Sequence, residues 1–160
     1  MKTNAARQLD RLGIKYELCD YQVDPDHLEA ELVADKIGMP HEKVFKTLLV
    51  RGDVNGLAMA VIPSNAELDL KAFAEASGNR KIHLVPLKEV QPLTGYIRGG
   101  VTALACRKSY PVFIDSTAED QDVISVSAGI RGTQILLQPS DYVRAVEATV
   151  APIAQPKMGI

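Results

Sequence analysis

Hydrophobic residues crowd the stretch Val44-Phe45-Lys46-Thr47-Leu48-Leu49-Val50, which reads as a buried strand carrying one cation in its middle. Successive side chains of a strand point to opposite faces. Val44, Lys46, Leu48 and Val50 then share one face, and Phe45, Thr47 and Leu49 the other, so neither face is plainly solvated. The turn cluster Arg51 to Gly56 leads into Leu57-Ala58-Met59-Ala60-Val61-Ile62, which is apolar throughout. That pattern predicts a hairpin whose second strand is central in a sheet.

Elsewhere the periodicity is mixed. Thr3 or Asn4 can cap a first helix through Leu12, with Ala5, Leu9 and Leu12 on one stripe and Gly13 as its stop. Ile14 to Tyr21 alternates as a strand does, and Asp24-Pro25-Asp26 breaks it ahead of a helix from His27 to Ile37, ended by Gly38 and Pro40. Asp69 caps a helix to Ser77, with Gly78 after it, and a short helix begins at Leu87 and stops before Thr94-Gly95. Pro111 to Asp115, Val123 to Val126 and Thr133 to Leu137 are further strands, with Ser127 to Gly132 as a turn. A last helix, Ser140 to Ala148, is expected to start at a cap, and Pro152 and Pro156 to mark a loose tail. Strands interspersed irregularly with helices, and no internal repeat or low-complexity linker, predict a mixed α+β domain.

Composition narrows the class. A chain of 160 residues, 46% hydrophobic, is long enough for one domain spanning 1–160, which at this size buries roughly 70% of its unfolded surface. Net charge is −2 and the pI about 5.9, so no global basic field holds a nucleic-acid backbone. Any nucleic acid must be engaged locally or with a partner's help. The first residues lack the apolar core of a signal peptide and no run approaches a membrane span, which places the expected location in the cytoplasm. Cys19 and Cys106 are expected as reduced thiols, neither with a histidine beside it that would suggest a nucleophile.

The chemistry on offer is limited. His27, His41 and His83 are expected in loops or at helix ends and share no metal-ligand spacing with Cys or carboxylates, so neither metal nor cofactor is expected. A nucleophile elbow and a phosphate-binding loop are both missing from the sequence. What remains is Lys46, two glycine-bearing loops around Gly99-Gly100 and Gly129, and the hydroxyls of Thr47, Thr102 and Ser127. That set can hold a carbonyl and its oxyanion without supplying a strong nucleophile. Two accounts of Lys46 stay open at this point: an edge-strand lysine that discourages aggregation, or a cation at the wall of a cleft. The glycines likewise either turn tight corners or let backbone approach a ligand.

A set of short motifs in a fixed order carries more. Tyr21-x-x-Asp24-Pro25, Val44-Phe45-Lys46-Thr47-Leu48, Leu68-Asp69-Leu70-Lys71, Thr94-Gly95-Tyr96 with Gly99-Gly100 after it, and Val126-Ser127-x-Gly129-x-Arg131-Gly132 together resemble the YbaK family of aminoacyl-tRNA deacylases, related to the editing domain of bacterial prolyl-tRNA synthetases. The resemblance runs from about Ala6 to Val146. It implies a mixed α/β fold around a strongly curved, barrel-like sheet with flanking helices. It also implies that Lys46 is the essential active-site residue, with Tyr21, Thr47, Gly99, Gly100 and Ser127 as substrate-binding positions; Thr102 and Gly129 join that expected substrate-binding set from the hydroxyl and glycine-loop reading above.

By the same resemblance the substrate is the acceptor end of a mischarged tRNA, with Cys-tRNA(Pro) favoured and prolyl-tRNA synthetase as a partner. The substrate thiol would attack its own carbonyl, a lyase-like outcome that needs no protein nucleophile. Two departures bear on the pocket: the family loop usually runs Gly-Gly-x-Ser-Pro, where this chain has Gly100-Val101-Thr102-Ala103, and Val23 stands where His is common. Rival readings are an Ala-tRNA(Pro) deacylase and a non-catalytic aminoacyl- or nucleotide-binding module that regulates a synthetase.

Overall fold

The computed structural model describes residues 2–157; Met1 and residues 158–160, the two ends of the expected 1–160 unit, lie outside them. Helix α1 (Asn4–Arg11) starts where Thr3 accepts a hydrogen bond from the Ala6 N–H, and buries Ala5, Ala6 and Leu9. Leu12, expected on that stripe, is exposed; it caps the end of the helix, and Gly13 at positive φ turns the chain away after it. Strand β1 (Glu17–Asp20) follows. Helix α2 (Ala30–Ile37) starts later than the His27 expected, since Asp24 accepts bonds from the Asp26 and His27 N–H groups and holds that segment in a turn. His41–Lys43 forms a single 3-10 turn.

The predicted hairpin is β2 (Phe45–Gly52) and β3 (Gly56–Pro63), paired from Phe45↔Pro63 to Gly52↔Gly56. Then come β4 (Ala66–Leu68), α3 (Leu70–Ser77) capped by Asp69, β5 (Ile82–Leu84) and α4 (Leu87–Thr94). The short β4 and β5 carry too few residues for an alternation to register, and β5 puts His83 on a strand instead of the loop or helix end expected. Strands β6 (Val112–Asp115), β7 (Ile124–Ser127) and β8 (Thr133–Leu137) fall where the pattern put them. Helix α5 (Pro139–Val146) begins with proline in its first turn after Gln138, so Ser140 lies inside the helix and is not its cap.

The C-terminal stretch is not a loose tail. Strand β9 (Thr149–Ala151) pairs in parallel with β6, and β10 (Ala154–Pro156) pairs with β4. The buried carboxylate of Asp115 holds it there, accepting from the N–H groups of Ile153 and Ala154 at 2.9 Å each and from Thr117 Oγ1 at 2.6 Å. Both prolines sit in or beside short edge pairings that local pattern cannot reveal.

The mixed five-stranded sheet has the order β5-β2-β3-β6-β9, with β3 at its centre, and the antiparallel three-stranded sheet the order β1-β8-β7. A parallel bridge between Val44 and Ser125 ties the start of β2 to β7, which carries one sheet round into the other. Alternation along the hairpin separates two cores. Phe45, Leu49, Met59 and Val61 pack with α1, α5 and the three-stranded sheet, while Val50, Ala58, Ala60 and Ile62 pack with Phe73, Leu68 and Ile153.

Candidate functional site

The hairpin also determines where backbone is left open. Val85 N–H donates to the Leu49 carbonyl, while Met59, opposite Leu49, donates away from β2 to the Pro111 carbonyl. Opposed pairs in an antiparallel ladder alternate between bonded and non-bonded. Leu49–Met59 is therefore non-bonded, and Thr47–Val61, two residues back, is too. The N–H and C=O of Thr47 consequently face the outer edge of β2. That edge is covered by β5 over Val50–Gly52 and reached by β7 at Val44, with a gap at Lys46–Leu48 between them.

A cleft of about 390 Å3 occupies this gap. Lys46, Thr47, Gly99 and Ser127 line it, which brings together four positions spread over more than eighty residues of sequence. Its apolar walls come from α2 and its approach (Leu28, Val33), from β2 and from the β5–α4 segment (Leu84, Val85, Leu87). Arg98 and Lys157 add positive charge to the lining, Lys157 being hydrogen bonded to Glu31.

Lys46 is half-buried, and its ammonium donates to the Ser64 carbonyl at 3.2 Å. Ser64 is itself clamped: its N–H donates to the Val44 carbonyl and its hydroxyl to the His41 carbonyl, both at 2.7 Å. Burial among apolar walls pulls the Lys46 pKa below its ordinary 10.5, and the Glu67 carboxylate offsets this only in part. A cation held at a cost in a cleft is the arrangement expected of a functional lysine.

That cost makes a stability prediction. A lysine whose folded pKa lies below its unfolded value leaves the unfolded chain binding more protons between the two, so this site's contribution to stability rises with pH across that window. Below the folded pKa the penalty is complete. Lys46→Met, which keeps the stem and removes the charge, is expected to raise the melting temperature at pH 7, with the gain shrinking as pH climbs toward 10.5. Melting curves of both proteins from pH 6 to 10.5 check it; a difference that is flat with pH would mean that Lys46 carries no desolvation penalty.

The remaining predicted positions divide. Ser127 Oγ accepts from the Gly129 N–H at 3.1 Å, so Gly129, with φ of 94°, acts on the cleft through Ser127 while packing against the Tyr96 ring. Gly99 has φ of 89° and presents backbone to the cleft, whereas Gly100 has no positive φ. A side chain at 100 would instead meet the Ile130 backbone at 3.2 Å. Thr102 is fully buried, its hydroxyl accepting from the Leu104 N–H, and does not line the cleft. Tyr21 lies outside the lining as well, with the Lys36 ammonium 5.9 Å from its ring centroid. Tyr96, which sequence alone did not mark as more than a motif residue, donates to the carbonyls of Leu104 and Ala105 and ties the glycine loop to the body. Its burial pushes the phenol pKa up to about 12.

Sequence reasoning missed Ser64, Gln134, Arg98 and Lys157. Gln134, buried opposite Ser127 on β8, accepts from the Ser125 hydroxyl at 2.8 Å and lines the cleft. Only its place in β8, directly after the turn motif that ends at Gly132, would have hinted at it.

Residues 24–145 match the family described as the aminoacyl-tRNA editing domain. The chain belongs to this family. The editing domain is 43% identical, over 86% of its length and 84% of the relative's, to EbsC of Enterococcus faecalis, a candidate Cys-tRNA(Pro)/Cys-tRNA(Cys) deacylase. It is 26% identical over 69% of its length to the uncharacterized protein YwhH of Bacillus subtilis. Among solved structures it shares its fold with the hypothetical protein APE2540 (TM-score 0.86, 23% identity, 96% of this chain and 100% of that one). The same holds for a candidate trans-editing enzyme for prolyl tRNA synthetase (TM-score 0.82, 19% identity, 97% and 99%). Among the described residues, the editing domain has no group of three or more His, Cys, Asp or Glu placed to hold a metal ion, and no helix long and apolar enough to cross a membrane.

Proposed function

We propose that this editing domain, acting as one unit over residues 1–160, is an aminoacyl-tRNA deacylase that releases cysteine mischarged on proline tRNA. The observation that carries this reading is Lys46, a partly desolvated cation at the open edge of β2, in a cleft of the size that takes an aminoacyl ester but not a folded nucleic acid. Only the charged acceptor end enters, which suits a chain of net charge −2. The body of the tRNA is then held elsewhere, with prolyl-tRNA synthetase as the partner. The location where these molecules meet is the cytoplasm.

In this reading the substrate thiolate attacks the carbonyl carbon of its own ester. The new C–S bond closes a thiolactone, the C–O bond to the terminal ribose breaks, and the ribose oxygen takes up the proton that the thiol released. Holding thiol and carbonyl in one geometry is worth roughly 7–11 kcal/mol of barrier. The Thr47 N–H, turned to the open edge of β2, and the Gly99 backbone flank the position of the developing oxyanion, each such donor adding about 3 kcal/mol. Lys46 balances the negative charge and orients the ester, and does not attack.

Deacylation of Cys-, Ala-, Ser- and Pro-charged proline tRNA by the purified protein tests the reading. Cysteine release is expected to be fastest, and thiolactone trapped in the products supports the cyclisation route. Fastest release of alanine would move the assignment to the Ala-tRNA(Pro) class, and no release from any of the four would leave a binding module.

A further inference from the structure

The cleft differs in charge from the molecule around it. Its lining holds three cations, Lys46, Arg98 and Lys157, against one carboxylate, Glu29, in a chain of net charge −2. Lys46 is half-buried in β2, whereas Arg98 and Lys157 are exposed and so stand at the rim. Lys157 comes from outside the residues that match the editing-domain family, which end at 145. Long-range pairing brings it there. Strand β10 runs antiparallel to β4, from Ala154↔Leu68 to Pro156↔Ala66, so the chain passes Pro156 next to the β3–β4 connection that holds Ser64, the acceptor of Lys46. The Asp115 carboxylate pins the start of this strand through the Ile153 and Ala154 N–H groups, and Gln155 Nε2 donates to Glu67 Oε1 at 3.2 Å. The Lys157 ammonium then meets the carboxylate of Glu31 on α2, a residue that is not part of the lining.

Resting on the deacylase reading above, we propose that Lys157 binds a backbone phosphate of the tRNA acceptor end, giving up Glu31 for the phosphate when the charged end enters the cleft. With the ester beside Lys46 and Thr47, the rest of the nucleotide chain leaves by way of the rim. The first phosphodiester lies across the terminal ribose from the ester, so the negative charge nearest the reacting bond passes where Lys157 stands. An ammonium is a compact charge with three donors and needs no fixed planar geometry, which suits a single strand whose backbone can turn. The pair it leaves is easily exchanged. The Lys157 and Glu31 side chains are 45% and 33% exposed, and an ion pair that open to water holds its partners weakly. Released, Glu31 returns to solvent, while Lys157 keeps a negative partner throughout. The phosphate contact thus supplies locally the attraction that the net charge of the chain does not.

The test breaks the ion pair from each side in turn. In single-turnover deacylation of Cys-tRNA(Pro), Lys157→Ala is expected to raise the half-saturating tRNA concentration about tenfold and to change the maximal rate less than about twofold. Lys157→Arg, which keeps the charge, is expected to stay within about threefold of wild type. Glu31→Gln frees the ammonium and removes a negative charge from the path of the phosphate, so it is expected to lower the half-saturating concentration about threefold. Independent of turnover, binding of uncharged proline tRNA is followed at several salt concentrations. The slope of log K against log salt is expected to be shallower by about 0.7 in Lys157→Ala, the loss of one single-strand phosphate contact. An unchanged half-saturating concentration or an unchanged slope in Lys157→Ala overturns the proposal. So does weaker binding in Glu31→Gln, which would make the ion pair a structural tie and not a phosphate site. Wild type inactive on every charged tRNA defeats the deacylase reading instead, and the salt slope then still decides whether Lys157 holds a phosphate.

Discussion

Lys46→Ala is expected to reduce single-turnover deacylation of Cys-tRNA(Pro) by roughly 10^3-fold, while circular dichroism and melting temperature stay at or above wild-type values. The rate loss follows from removing a charge at a cleft wall, where a preorganised electrostatic contact is worth about 3–4 kcal/mol in the transition state. The stability expectation follows from the other side of the same fact: the ammonium is desolvated and, among the described residues, its hydrogen-bond acceptor is the Ser64 carbonyl. Ser64 is already held through its own N–H and hydroxyl, so the loop survives the loss of that bond. Lys46→Arg is expected to fail nearly as badly. A planar guanidinium is larger than an ammonium and does not reproduce its compact charge in the space beside Ser64. An anti-aggregation lysine predicts the reverse: arginine works fully, alanine nearly so, and turbidity is the symptom. Near-normal turnover in Lys46→Ala would defeat the catalytic role.

Gly100→Val is expected to damage both activity and stability, lowering deacylation by about 100-fold and stability by roughly 1–3 kcal/mol. From the paired glycines, strain at positive φ would be expected at 100. The strained position is in fact Gly99, and Gly100 is required for space. A Cβ at 100 comes within 3.2 Å of the Ile130 backbone, which has no flexible end to move aside, and the valine methyls reach further. The loop is then forced off the turn between β7 and β8, taking the Gly99 backbone and Arg98 away from the cleft. Thermal melting measured with deacylation separates the outcomes. Lost activity with an unchanged melting temperature would contradict the contact with Ile130, and unchanged activity would mean that the loop only turns a corner.

Local pattern was a good guide wherever one element's own residues decide its state. Asp69 and Gly78 bound α3 as a cap and a left-handed stop, and Thr133 to Leu137 is the strand its β-branched and aliphatic run predicts. It failed where a distant partner decides. Residues 149–156 read as a proline-marked tail, yet the Asp115 carboxylate and the free edges of β6 and β4 recruit them into two sheets. His27 to Glu29 satisfies helix periodicity, but Asp24 holds the approach in a turn, its side chain accepting from the Asp26 N–H and its backbone carbonyl from the His27 N–H.

The sequence by itself determined the mixed α+β class, the hairpin with its central strand, the two-sided burial around Lys46 and, through the order of its motifs, the family. These depend on alternation, caps and turns that act within a few residues. Only the tertiary structure decided which motif residues face one another. It seats Lys46, Thr47, Gly99 and Ser127 at one cleft, leaves Thr102 in the core and Tyr21 outside the lining, and admits Gln134 and Lys157, which no motif marks. The physical reason is that a cleft arises where two sheets part along an edge of β2. Which backbone stays unpaired there is a property of long-range register, set by the Val44–Ser125 bridge and the short β5 pairing, and not of any local run of residues.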